Sequence, residues 1–163
     1  MRQPVTHPLD ETHHPCCNDG HSSALWARTG AEFYTVDFSK ECADTTRREL
    51  ARMKFLNATV INDDGIRFLL HFEKKIDLLY LDAWDVTLPA SAENHLKAYC
   101  AALGRMQEKC VLLIDDTDVE LVGSSLVLTA SCDGGKGRLV VPRALQDGFK
   151  LITRGRQTLL ARM

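Results

Sequence analysis

The sequence predicts an α/β fold, a mostly parallel sheet with helices on both faces and an antiparallel hairpin at the C-terminus. Three observations carry this expectation. Short β-branched or apolar runs alternate with helix-length amphipathic segments, the pattern of successive βαβ units. Two of these runs, IDLLYL at 76–81 and VLLI at 111–114, are almost continuously apolar, as suits strands covered on both sides. The last two apolar stretches, 149–153 and 157–161, are separated only by Arg154-Gly155-Arg156, which is hairpin spacing.

The elements follow in order. Residues 1–19 hold three of the five prolines and three of the six histidines with few large apolar residues, and read as a poorly ordered arm. His7, His13, His14, Cys16, Cys17 and His21 are zinc-ligand types, but their spacing fits no ordered frame, so a solvated arm is the better reading. A domain spanning 20–163 follows. Residues 22–29 form a short helix. EFYTV at 32–36 is β-branched and aromatic, a strand that ends at Asp37. Ser39 offers an N-cap to a helix running to about Lys54, with Cys42, Ala43, Thr46, Leu50 and Met53 on its inner face. Residues 58–61 make the next strand, and 66–72 a short helix. After the strand at 76–81, Ser91 caps a helix whose inner face carries Leu96, Tyr99, Cys100, Leu103 and Met106. The strand at 111–114 is followed by an inserted hairpin at 121–131. A helix at 138–146, despite Pro142, and the terminal hairpin complete the chain.

Composition narrows the partners. The chain has 163 residues, enough for one ordinary domain, with 45% hydrophobic and 26% charged residues. That balance excludes disorder, collagen and coiled coil. The net charge of −2 leaves no basic excess for phosphate backbones, so nucleic acid is not an expected partner. No apolar run approaches the ~20 residues that span a bilayer, and the N-terminus lacks the apolar core of a signal peptide. A cytoplasmic protein is expected. The six cysteines are irregularly spaced and read as free thiols.

The main chemical signal is the placement of acids. Asp37, Asp64, Asp82 and the pair Asp115-Asp116 all stand where predicted strands end. In open α/β sheets ligands bind outside the carboxyl ends of the strands. Single strand-end aspartates are often turn formers or N-caps; four in one topological place point to a shared site. Asp37 follows Gly20 by 17 residues, near the spacing at which a carboxylate accepts hydrogen bonds from ribose hydroxyls. Asp64-Gly65 precedes a short helix, and the aspartate could equally be its cap. Asp82, Asp115 and Asp116 would bring three like charges to one sheet edge, which a hard divalent cation such as Mg²⁺ would resolve; two close acids with Asp116 turned to solvent is the alternative. Trp84 could pack on an adenine, line a pocket, or simply fill the rim.

Taken together, these segments resemble class I S-adenosylmethionine-dependent methyltransferases of the small-molecule O-methyltransferase type. GHSSALWARTGAEFYTVDFSKE is similar to that family's first loop, helix and second strand, and INDDGIRFL to its adenine loop. IDLLYLDAWD followed by VLLIDD resembles the metal-bearing strands of catechol O-methyltransferase. GKGRLVVPRALQDGF resembles the late helix and strand of macrocin-type O-methyltransferases. The resemblance implies a Rossmann-like fold and S-adenosylmethionine as cofactor. Gly20 and Ser22 would approach its methionine part, Asp37 its ribose, Asp64 and Gly65 its adenine, and Ala83 and Trp84 would flank it. Asp82, Asp115 and Asp116 match the metal ligands, although the third is usually Asn. Asp85 falls where catechol O-methyltransferase has a lysine base, and would need a raised pKa to replace it.

The expected first strand and its E-x-G-x-G-x-G loop are degraded or missing. His14, Cys16 and Asn18 stand where the acid and first two glycines would fall. The resemblance thus implies methyl transfer to a hydroxyl of a small molecule, assisted by a divalent metal and completed by a partner or homo-oligomer mate. The alternatives are a truncated, non-catalytic methyltransferase-like domain and, less well matched, a nicotinamide-binding domain.

Overall fold

In the computed structural model, residues 21–123, 125–129 and 134–163 are described. The chain divides into two compact units, Met1–Asp64 and Gly65–Met163, each with its own core. Gly20, the arm at 1–19 and the degraded first strand lie outside the described residues, as do 130–133 within the inserted segment.

In the first unit, α1 (His21–Ala27) leads to β1 (Phe33–Asp37), α2 (Lys40–Arg52) and β2 (Ala58–Asn62). β1 and β2 pair in parallel, with Asp37 opposite Asn62 in the last register position. The helix begins where expected: the Ser39 side chain accepts from the Cys42 amide at 3.3 Å. Ala43, Thr46 and Leu50 form its buried stripe, and Lys40, Asp44 and Arg47 pair on the wet side. Leu50 packs with Ala24 and Ala27 of α1 against Met53, Phe55, Ala58 and Val60. Asn57 closes the base of this unit by donating to the carbonyls of Ala27 and Ala31 at 2.8 and 2.7 Å.

The second unit holds α3 (Gly65–His71), β3 (Ile76–Leu81), α4 (Ser91–Leu103) and β4 (Met106–Ile114). It continues with β5 (Val119–Val122), β6 (Ser125–Leu128), a 3₁₀ turn at Gly135–Gly137, α5 (Val140–Gln146), β7 (Lys150–Thr153) and β8 (Thr158–Arg162). Its sheet has the order β3-β4-β8-β7. β3 and β4 are parallel; β8 runs antiparallel to both neighbours, so the terminal hairpin enters the sheet with its last strand inside and β7 at the edge. β5 and β6 form the inserted hairpin separately. Leu112, Ile114 and Leu160 of the sheet are fully buried with Tyr99 of α4 and Val140 of α5. Pro142 is the third residue of α5, within the first turn, where a missing N–H costs no helical bond.

Three local expectations are corrected. Ser91 does not cap α4. Ala90, in the left-handed region at φ 61°, is the N-cap, and the Ser91 hydroxyl donates instead to the Trp84 carbonyl at 2.9 Å. The inner face of α4 is turned from the apolar stripe: Ser91, Ala92, His95, Ala98, Tyr99 and Ala102 are buried, while Cys100 is exposed. Small side chains at three- and four-residue spacing let the helix sit close to its neighbours, leaving the longer Leu96 and Leu103 at the margin. Met106 belongs to β4, which starts five residues before the apolar run VLLI. The described cysteines Cys42, Cys100 and Cys110 are free thiols, and of these only Cys110 is buried.

Candidate functional site

The parallel strands bring their carboxyl ends, and the acids that follow, to one end of each sheet. In the first unit Asp37 closes β1. Its carbonyl accepts from the Asp63 amide at 3.1 Å and from the Asn62 side chain at 2.9 Å. Its Oδ1 accepts from the Ser39 amide at 2.8 Å. The carboxylate is therefore held on one oxygen, and Oδ2 has no partner among the described residues. Asp64 follows β2, its amide bonded to Asp63 Oδ1 at 2.7 Å, directly before α3. Ser22 is exposed on α1; its neighbour Ser23 is buried and bonds to Thr35 of β1 at 3.2 Å.

In the second unit Asp82 and Asp115 share the Tyr80 hydroxyl, and Asp82 and Asp116 share Lys136. The amide of Asp115 extends the β3–β4 ladder by donating to the Leu81 carbonyl at 3.1 Å, so both strands end level. The Tyr80 hydroxyl lies 2.8 Å from Asp115 Oδ2 and 3.1 Å from Asp82 Oδ2, and receives Gln157 Nε2 at 3.3 Å. Burial, reinforced by the two carboxylates, pushes the Tyr80 phenol far above its ordinary range. It stays a neutral donor.

The charge of the acids is answered by the protein itself. Lys136 Nζ lies 2.6 Å from Asp82 Oδ1, 2.9 Å from Asp116 Oδ2 and 3.4 Å from the Asp82 carbonyl. Its side chain is only 5% exposed. Arg156 Nη2 approaches the other oxygen of Asp116 at 2.5 Å, as a charge contact without hydrogen-bond alignment. Burial lowers the Lys136 pKa, but the hydrogen bonds and charges of Asp82 and Asp116 outweigh it and leave the ammonium above its usual value.

The expected Mg²⁺ site is not supported. Among the described residues no three His, Cys, Asp or Glu side chains are grouped to hold a metal ion. The oxygens that would be ligands on Asp82 and Asp116 face an ammonium, and those of Asp115 face a phenol and the Asp116 amide. The ammonium already seated between Asp82 and Asp116 takes the place a divalent ion would need, so the cluster does not fit one. Sequence reasoning missed Lys136 and Tyr80. The signal for the first was the run Gly134-Gly135-Lys136-Gly137: a Cβ on Gly135 would stand 1.9 Å from the Asp116 carbonyl, and Gly135 has φ +50°.

Asp85 is bound within its own turn. Its Oδ1 accepts from the Thr87 amide at 2.8 Å and the Thr87 hydroxyl at 2.7 Å. These bonds hold its pKa below the ordinary carboxylate value, the opposite of what a base requires. Trp84 adopts φ +38°, rare for a bulky residue. Its carbonyl is held by Ser91, and its ring meets buried His95 edge-on at 5.2 Å. The indole also lies beside Gly65, where a Cβ would be 3.9 Å away. A concavity of about 470 Å³ lined by Lys75, Asp77 and residues 106–109 lies at the other end of β3 and β4 and shares none of these residues.

Comparison with known proteins places the fold. No protein-family model matches the chain, and neither does any curated sequence. Solved structures do. A Podospora anserina methyltransferase bound to S-adenosylhomocysteine (SAH) is similar over 90% of this chain and 69% of its own, with 14% identity and a TM-score of 0.67. A Streptococcus mutans protein assigned as a methyltransferase, also with SAH, matches over 89% and 84% at 13% identity, with a TM-score of 0.60. A Staphylococcus aureus protein assigned as a caffeoyl-CoA O-methyltransferase matches over 88% and 71% at 14% identity, with a TM-score of 0.61. The chain has the Rossmann-like fold of S-adenosylmethionine-dependent methyltransferases. No helix of the described residues is long and apolar enough to cross a membrane.

Proposed function

We propose that the chain transfers a methyl group from S-adenosylmethionine to a hydroxyl of a small molecule. The observation that carries this reading is the half-buried Asp37 at the end of a parallel strand. One carboxylate oxygen is anchored and the other has no partner among the described residues, the arrangement that receives a ribose hydroxyl. Two of the similar structures hold SAH, and one is assigned as an O-methyltransferase. The net charge of −2 favours a small acceptor over nucleic acid. Bound S-adenosylmethionine supplies an electrophilic methyl on a sulfonium, open to in-line displacement.

The chain's own residues orient the acceptor. The Asp82 side chain is 38% exposed, and its two oxygens each keep lone-pair capacity beyond the bonds from Lys136 and Tyr80. It can accept a hydrogen bond from the incoming hydroxyl and aim its oxygen. Positioning of this kind supplies much of the acceleration in bimolecular transfer. Lys136 and Tyr80 remain protonated and Asp85 is held ionised, so none of them serves as a base near neutral pH.

The test is calorimetric titration of the chain with SAH. Binding near the micromolar range, about −8 kcal/mol, weakened at least about tenfold by Asp37→Ala, supports the reading. No binding to a folded chain sinks it. A second reading, a methyltransferase-like domain that binds without catalysis, is favoured by His14, Cys16 and Asn18 in place of the family's acid and glycines. SAH binding without transfer to diols, phenols or sugars would select it.

A further inference from the structure

We infer that Lys136 is the built-in cation of this site: it holds Asp82 and Asp116 as a divalent ion would, and makes the carboxylate end of the second unit metal-independent. Three observations converge. The ammonium lies between the two carboxylates at 2.6 and 2.9 Å and has almost no contact with solvent. Its backbone is fixed as firmly as its side chain. The Lys136 amide donates to the Asp116 carbonyl at 3.3 Å and Gly134 to the Thr117 carbonyl at 3.1 Å. The glycines on either side are closely packed: a Cβ on Gly135, at φ +50°, would run into the Asp116 and Val119 carbonyls, one on Gly137 would meet the Thr117 side chain at 2.7 Å, and one on Gly134 would have to displace the Glu120 side chain. The Gly-Gly-Lys-Gly run is thus shaped to deliver one charged side chain to one place.

The charge balance explains why a cation is required there. Asp82, Asp115 and Asp116 bring three formal negative charges, and exposed Arg156 offsets only part of them. Without Lys136 the two carboxylates it holds would repel each other and lose the one donor they share, leaving Asp82 with Tyr80 and Asp116 with Arg156. A lysine differs from a metal in consequence. It donates N–H bonds and presents no open coordination position, so acceptor hydroxyls are held by Asp82 rather than by a shared ion. Lys136 is in this sense a positioning residue. That last role rests on the methyl-transfer reading; the occupancy of the site by lysine in place of metal does not.

The experiment uses the full chain without nucleoside cofactor. MnCl₂ and MgCl₂ are titrated calorimetrically, and the melting temperature is followed with either salt or with EDTA. The wild type is expected to show no saturable binding and no shift. Lys136→Ala is expected to melt lower and to gain saturable Mn²⁺ binding, at least about tenfold tighter than the wild type, with recovery of the melting temperature. Lys136→Gln keeps a side chain of similar reach but loses the charge; it serves if the alanine variant fails to fold, and is expected to gain Mn²⁺ binding too. Lys136→Arg keeps the charge and is expected to stay silent. A lysine that merely packs would give variants that melt lower and ignore Mn²⁺, and that result overturns the inference. Saturable binding of either ion to the wild type also overturns it. Neither outcome depends on SAH, so failure of the methyl-transfer reading is seen separately in the SAH titration.

Discussion

The Tyr99 hydroxyl, at the centre of α4, donates to Asp147 Oδ2 at 2.9 Å, just past the last turn of α5. The same carboxylate oxygen receives Arg143 Nε at 2.9 Å. Burial, with Asp147 beside it, pushes the Tyr99 phenol well above its usual pKa, so it remains a donor throughout the accessible pH range. The ring is fully buried and packs edge-to-face on Phe149 at 6.2 Å. One side chain therefore joins two helices and the entry to β7.

That arrangement separates two contributions. Tyr99→Phe keeps the ring and loses the hydrogen bond, and is expected to cost about 1–3 kcal/mol. Tyr99→Ala also empties the core and is expected to cost about 3–5 kcal/mol. Urea unfolding of the two variants checks the order; equal losses would mean that the ring contributes nothing beyond its hydroxyl.

His95 predicts an acid limit. It is fully buried, and its Nδ1–H donates to the Ser91 carbonyl at 2.8 Å, which fixes the tautomer. Burial lowers its pKa, and nearby Lys136 adds to this, against the Ser91 and Ala83 backbone and the charge of Asp82. Above about pH 6.5 the ring is neutral in folded and unfolded chains alike. Below that the unfolded chain takes up the proton first, so stability falls with pH until the folded ring also titrates. Melting temperatures from pH 8 to pH 5 are expected to decline, and His95→Phe to flatten that part of the profile. An unchanged slope in the variant would refute the assignment.

The glycines give a paired test. Gly135→Ala places a methyl group against the Asp116 backbone at a positive φ, and is expected to cost more than about 4 kcal/mol or to abolish folding. Gly155→Ala meets nothing within 4 Å and is expected to stay within about 0.5 kcal/mol of wild type. Comparable losses at the two positions would contradict the close packing around the Gly-Gly-Lys-Gly turn.

How much of this was legible in the sequence depended on the range of the interaction. Strands, their order and the terminal hairpin were legible because alternation, apolar runs and turn spacing are local. The ends of those strands carried Asp37, Asp82 and Asp115 into view for the same reason. Lys136 was hidden because a lysine among glycines reads as a solvated turn, and its partner Asp82 lies 54 residues away. Only the packed fold shows that it is buried. Ser91 was misread because a serine before a helix fits a cap equally well whether its hydroxyl turns to the helix or to Trp84. Met106 continued the spacing of α4 from Leu103, and the turn at Gly104-Arg105 that separates them is short enough to leave that rhythm intact.

The position of β8 carries a consequence for how the protein is made. It is the last strand in the second unit, yet it lies between β4 and β7, with Leu160 fully buried. On the ribosome β4 emerges more than forty residues ahead of the strand that must cover its flank. Until residue 162 clears the exit tunnel, β4 presents an apolar, unpaired edge to solvent or to a chaperone. Synthesis that stalls in this interval leaves a nascent chain with an adhesive sheet and no means of closing it, so the second unit can lock only after its final strand is delivered.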